Sequence, residues 1–336
     1  MDDRRFEELR AELLRLIKLQ GHAAALAHVR GLGFADEDPR LRLEEAVLLA
    51  DLGRHEEATP ILEAMLPSFP RDPRLRLYLA RSQHAVGKPE RALRHVEAID
   101  RRDVPGAEPV ILRAEILAGL GREGEALELI ETEIRAIEGA EEHGRSRAQL
   151  DESEAELRVA QAHHLRLLRR PDEAAVVARG VLERWPGHAN AGAIYGLSLI
   201  DRGLAAEAIG PLRSAFSQRP GNREWGLHLA QALMATRDLT LARDVLEQVL
   251  ESHRDDAAAH ERLSAIALSE GETEEAREHA RRVISLEPAK AAGWVALAMA
   301  EQVAGRSEAA REAIREALAR PPVTPLAQRL ATALGL

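Results

Sequence analysis

Gly119, Gly121 and Gly124 stand at the G-x-G-x-x-G spacing with which a strand–turn–helix cradles the pyrophosphate of a dinucleotide. That chemistry requires a strand ahead of the glycines and a βαβ unit around them. Val110 to Leu117, immediately ahead, instead belong to a helical pattern, and Gly121 falls on a turn of that pattern. Thirteen histidines are scattered along the chain, yet none forms H-E-x-x-H and no pair stands four apart, the spacing that aims two imidazoles at one zinc ion from a helix. The adjacent His163 and His164 point about 100° apart around a helix. There is no cysteine, which removes thiolate zinc sites, disulfides and a cysteine nucleophile together. No G-x-S-x-G elbow occurs, and the glutamates of Glu123–Glu131 and Glu270–Glu278 are spaced as solvated helix faces rather than acid–base dyads. The expectation is no catalytic residue, no metal and no cofactor, hence not an enzyme.

Composition points the same way. Hydrophobic residues make up 45% but aromatics only 3%, so the apolar content is mostly Ala and Leu, which favour helices in close contact. The net charge of −10 disfavours nucleic acid and anionic lipid, and the few aromatics offer no stacking platform for bases. No stretch approaches the ~20 apolar residues that span a bilayer. Leu13 to Leu19 is broken by Arg15 and Lys18, so no secretory signal is read at the N-terminus and the expected location is cytoplasmic.

The elements that position everything else come from a 34-residue period. Gly53 precedes Ala58 as Gly87 precedes Ala92 and Gly121 precedes Ala126, and the phrase returns at Gly203/Ala208, Gly271/Ala276 and Gly305/Ala310. Arg169/Ala174 and Arg237/Ala242 keep the register with arginine at the glycine place. A small residue stands seven before each turn: Ala46, Ala80, Ala114, Ala162, Gly196, Ala230, Ser264 and Ala298. Pro70, Pro186, Pro220, Pro288 and Pro322 stand seventeen after. Each unit therefore reads as helix, left-handed turn, helix, proline exit, with small residues letting the two backbones approach.

This small–Gly–Ala–Pro skeleton resembles the tetratricopeptide repeat family over roughly residues 7–324. The family's tryptophan is matched only by Trp294. The resemblance implies an all-α, right-handed solenoid superhelix of about nine repeats: 7–38, 39–72, 73–106 and 107–140 in an N-terminal block (1–140), then 155–188, 189–222, 223–256, 257–290 and 291–324. The first unit is atypical, with Leu26 where the second-helix alanine belongs and Ala25 and Ala27 beside it. Between the blocks, the acidic stretch 141–154 shifts the register by 14 residues, as a loop or as an extension of its neighbouring helices. Residues 325–336 read as a capping helix, covering the last apolar face.

The resemblance also implies a concave groove lined by first helices, where a protein or peptide partner would bind. Its family-derived frame assigns a basic end (Arg40, Arg74, Arg81, His84), a middle (Glu108, Glu115, Glu156, His163, Arg166) and an apolar end (Leu197, Ile200, Leu227, Gln231, Met234, Leu268, Val295, Met299). The arginines either meet an acidic partner or pair internally with Glu108 and Glu115. The family's carboxylate clamp, built from lysine and asparagine, is not matched, since the groove holds no lysine. The expected function is a protein-binding scaffold or assembly factor. A self-assembling oligomer and an accessory subunit of a separate modifying enzyme are the alternatives.

Overall fold

The structure, a computed structural model, describes residues 2–32, 38–100, 103–104, 106–139 and 147–336. Among these there are 19 helices and no strand. They form two compact units, Met1–Arg170 and Pro171–Leu336. The first holds α1 (Asp3–Gln20), α2 (His22–Gly31), α3 (Pro39–Asp51), α4 (His55–Met65), α5 (Pro73–Ala85), α6 (Pro89–Glu97), α7 (Glu108–Gly119), α8 (Glu123–Glu138) and α9 (Arg147–Leu167). The second holds α10 (Pro171–Arg184), α11 (Ala189–Asp201), α12 (Ala205–Gln218), α13 (Arg223–Ala235), α14 (Leu239–Ser252), α15 (Ala257–Glu270), α16 (Thr273–Leu286), α17 (Ala292–Val303), α18 (Ser307–Leu318) and α19 (Pro325–Ala333).

The turn inside each helix pair follows from the glycine position. After α3, the Arg54 N–H donates to the Leu49 carbonyl at 2.8 Å while Gly53 takes φ +74°, the hydrogen-bonding pattern of a Schellman cap. The same bond recurs at Lys88, Arg122, Leu204, Asp238, Glu272 and Arg306. Where the chain has arginine instead, the backbone still adopts the left-handed form, with φ 58° at Arg169 and 67° at Arg237. Geometry imposed by packing thus overrides local preference at those two residues.

The small residues do what close packing demands. The second-helix alanines Ala58, Ala92, Ala126, Ala174, Ala208, Ala242, Ala276 and Ala310 are all fully buried. At Gly196 an added Cβ would sit 2.5 Å from Leu212 Cγ, so no larger residue fits without displacing α12. Buried Ser264 satisfies its hydroxyl by donating to the Ala276 carbonyl at 2.9 Å, tying α15 to α16.

Two irregular places are explained by turn length and by burial. In the first pair Gly21 alone joins α1 to α2, so the close-packed alanine comes one residue early: Ala25 is fully buried. Of the stretch 141–154, residues 147–154 belong to α9, and 141–146 lie outside the described residues. Leu150 is buried with Ile134 and Ile137 of α8, so both helices of this hairpin run past the length of their counterparts and bury the added turns on each other. At the C-terminus α19 packs on α17 and α18 and buries Ala327 and Ala331.

The dinucleotide pattern is accounted for by packing. Gly119 closes α7, where a Cβ would meet His84 Cε1 at 3.0 Å; Gly121 holds φ +75° in the turn; Gly124 lies within α8. Helix precedes and follows, so the βαβ context is missing.

Candidate functional site

Within each unit, first helices pack on first helices: α3 on α5, α5 on α7 and α7 on α9 in one; α11 on α13, α13 on α15 and α15 on α17 in the other. Successive second helices stand farther apart at the backbone and meet through long side chains, as Arg243 of α14 meets Glu275 of α16. A stack whose elements touch along one side and splay along the other is curved, with the touching side inward. Each unit therefore presents a concave wall of first helices, the surface on which an extended segment meets several repeats at once.

In the first unit the basic residues of that wall are already engaged. Arg40 donates to both carboxylate oxygens of Asp38, at 3.1 and 3.0 Å, and to Asp3 at 2.7 Å, with its guanidinium 4.7 Å from the centre of the Phe6 ring. Arg74 donates to both oxygens of the buried Glu44, at 2.6 and 3.0 Å. Arg81 lies between Asp51, at 3.6 Å, and Glu108, to which it donates. Tyr78 sits under both arginines, its ring centre 5.9 Å from the Arg74 guanidinium and 5.0 Å from that of Arg81. The pairs run from α3 through α5 to α7 and bind successive repeats together. These arginines are not a free basic patch, and internal pairing, one of the two sequence readings, describes them. His84 packs on Gly119, and burial lowers its pKa from the ordinary imidazole value.

The middle of the predicted groove behaves differently. Glu115 on α7 and Glu156 on α9 are open to solvent, yet burial lifts both carboxyls above the usual range, with Glu152 adding to the effect at Glu156. His163 on α9 is exposed and Arg166 half-buried, while their neighbour His164 is in the core.

The apolar end needs correction. Leu197, Leu227 and Val295 are 2%, 6% and 6% exposed and belong to the cores of their repeats. Ile200 and Met234 pack on the same core as Leu197, Leu268 on Ala267 and Ala300, and Met299 on the core around Val295. Only Gln231 of that set is exposed. For Leu227 and Val295 the reason is angular: successive helix residues turn about 100°, so His228 and Ala296, one residue on, are more open while these two face the core. The wall of the second unit is made instead by His228, Ala235, Arg262, Ala265, Ala296 and Gln302, which are small or polar and exposed or half-buried.

Sequence reasoning also missed a ladder on the second helices. Arg243, Arg277 and Arg311 each follow the close-packed alanine, 34 residues apart. Arg243 is engaged by Glu270, Glu272 and Glu275; Arg277 donates to the buried Glu301 at 2.7 Å; Arg311 donates to the Leu334 carbonyl at 2.9 Å. Each reaches the element that follows its own repeat or closes it, and the last holds the end of the capping helix. An arginine recurring at one place in three frames was the available signal.

Among the described residues no three His, Asp or Glu side chains are placed to hold a metal ion. No helix among them is long and apolar enough to cross a membrane.

A stack of helix pairs closed by Schellman turns defines a helical-repeat protein. Residues 49–116 and 199–266 match the family model of the tetratricopeptide repeat, so each unit contains a region of that repeat type. PilW, a widely conserved type IV pilus biogenesis factor, superposes with a TM-score of 0.55 at 17% identity, over 67% of this chain and 97% of that one. The human IFIT1 dimer with m7Gppp-AAAA gives a TM-score of 0.55 at 15% identity, over 95% of this chain and 82% of that one. YrrB, a tetratricopeptide-repeat protein with an unusual peptide-binding site, gives 0.48 at 20% identity, over 53% and 92%. At these identities the likeness concerns the fold. No curated protein matches the chain.

Proposed function

We propose that the chain is a non-catalytic scaffold that binds a segment of a partner protein along the first-helix walls of its two units. One observation carries this reading. In the second unit most large apolar side chains of the first helices are turned into the core, Val303 being exposed, which leaves a wall of small and polar side chains that no neighbouring element among the described residues of the unit covers. Small side chains let a partner backbone come close, and glutamine amides both donate to and accept from it. In the first unit, the accessible but poorly solvated Glu115 and Glu156 suit a cationic side chain. The paired state of Arg40, Arg74 and Arg81 speaks against a phosphate-binding wall, because an incoming phosphate would have to break ion pairs that already join the repeats.

The test is affinity capture from a lysate of the source organism, followed by titration calorimetry with each purified candidate. Gln231→Glu/Ala265→Glu in one unit and Glu115→Lys/Glu156→Lys in the other alter the walls. Arg281→Glu, exposed on the second helix α16, serves as the control. A partner lost with either wall variant and kept by the control supports the reading. A partner bound equally by all three, or self-association alone, overturns it.

A further inference from the structure

We propose that His260 and His279 together bind a divalent transition-metal ion through their Nδ1 atoms, copper(II) by preference, and that the ion joins α15 to α16. The two residues stand 19 apart in sequence, so the site crosses a helix hairpin and escapes the four-residue spacing that marks a zinc pair on one helix.

His260 lies in the first turn of α15 and His279 near the middle of α16. Their Nδ1 atoms face each other at 3.0 Å, and each ring presents its other nitrogen to an oxygen. Nε2 of His260 is 3.3 Å from the Arg254 carbonyl, and Nε2 of His279 is 3.6 Å from the Glu275 carboxylate. Both oxygens can only accept, so each ring keeps its proton on Nε2. Two bare lone pairs are then left pointing at one another across 3.0 Å. Moving a proton from either Nε2 to Nδ1 would bridge the pair, but would set that ring's other lone pair against an oxygen. Three contacts call for three positive centres, and two neutral imidazoles bring only two.

A metal ion supplies the third. An imidazole bound to a metal through one nitrogen donates its other N–H to a carbonyl or a carboxylate, and both rings are arranged to do so. An added proton would fill the same gap, but burial works against it at both rings, and at His279 the neighbouring imidazole does so too. A metal ion binds the neutral ring that burial favours. The separation also selects among ions. Adjacent ligands at right angles, each about 2.1 Å from the ion, stand about 3.0 Å apart, whereas tetrahedral ones stand about 3.4 Å apart. A spacing of 3.0 Å therefore fits the tetragonal geometry of copper(II) better than that of tetrahedral zinc. Asp255, Asp256 and Glu275 add attraction for a dication, against Arg243 and Arg282. No third His, Asp or Glu among the described residues joins the pair, and both rings are half-buried, so water takes the remaining positions on the ion.

The experiment strips the full chain with a chelator and titrates it with copper(II) chloride at neutral pH, in a glycine buffer that competes for adventitious copper. His260→Gln and His279→Gln are run beside the wild type, with His22→Gln, in the first unit, as the control. Expected is one equivalent of copper held by the wild type and by His22→Gln, with affinity lower by roughly tenfold or more in either site variant. Nickel(II) binds the same site more weakly and magnesium does not bind it. In the unaltered protein, copper below one equivalent broadens the backbone amide signals around residues 260 and 279 before any others, a readout that stands even if a variant folds poorly. Equal copper affinity in all four proteins, or broadening that starts at other histidines, overturns the site. A wild type that holds copper no more tightly than glycine does overturns it as well, and leaves the pair bridged by a proton.

Discussion

Arg74 reaches from α5 to α3 and holds the carboxylate of Glu44 with both terminal nitrogens, at 2.6 and 3.0 Å, in a fork that the Glu44 side chain meets almost wholly out of water, at 9% exposure. A residue that reads from sequence as an open cation on a binding surface is a fastener between repeats. Because Glu44 is buried, removing Arg74 leaves its carboxylate to the longer contact with Arg10, at 3.7 Å, whereas removing both members of the fork changes less. Arg74→Ala is expected to cost about 2 kcal/mol in urea unfolding, and Arg74→Ala/Glu44→Ala less than the sum of the single changes by about 1 kcal/mol. Additive effects would show that the fork contributes no coupling.

Arg169 and Arg237 hold a left-handed backbone that glycine adopts freely, as Gly53 and Gly121 do at the same place. Arg169→Gly and Arg237→Gly are each expected to stabilise by about 1 kcal/mol, since relief of the Cβ clash exceeds the added freedom of the unfolded chain. Thermal midpoints rising with each change, and further with both, are the measurement. A fall would mean that the side chains contribute more than the strain removes.

Gly196 faces the opposite constraint. Its Cβ-less backbone lies against Leu212, and the added methyl of Gly196→Ala would press into that side chain at 2.5 Å. A loss of about 1–3 kcal/mol is expected, with Gly196→Ala/Leu212→Ala recovering part of the strain while adding its own cavity. The same change at Gly124, where nothing lies within 4 Å, should be stabilising because alanine is the better helix former.

His164 gives the protein an acid sensitivity. Burial, with a smaller push from His163 and against the pull of Glu123, lowers its pKa from 6.5 to about 4. The folded state therefore holds it neutral while the unfolded chain binds the proton first. Stability is full above the unfolded value and falls as the pH drops from 6.5 towards 4. Urea midpoints should show the wild type losing about 2 kcal/mol more between about pH 7 and pH 5 than His164→Leu does. Identical pH profiles would place the sensitivity elsewhere, His84, His95, His260 and His279 also being lowered by burial.

The period of 34 residues determined the helix pairs, their turns and the close-packed alanines, because each depends on backbone conformation and on side-chain size within one repeat. Arg169 and Arg237 were legible as turn residues despite their type, since neighbours in register left no other place for them. Tertiary structure alone decided which way the wall residues face. Leu227 and His228 are adjacent in sequence, yet one is core and the other wall, because a rotation of about 100° separates them and a repeat frame displaced by one residue exchanges their roles. It alone decided the charges too. Arg74 and Arg262 both read as arginines on a first helix, but Glu44 stands 30 residues from Arg74 and becomes its partner only when α3 packs on α5, while among the described residues no carboxylate is brought within ion-pair distance of Arg262. Periodicity describes one repeat. Ion pairs between repeats depend on what the stacking brings face to face.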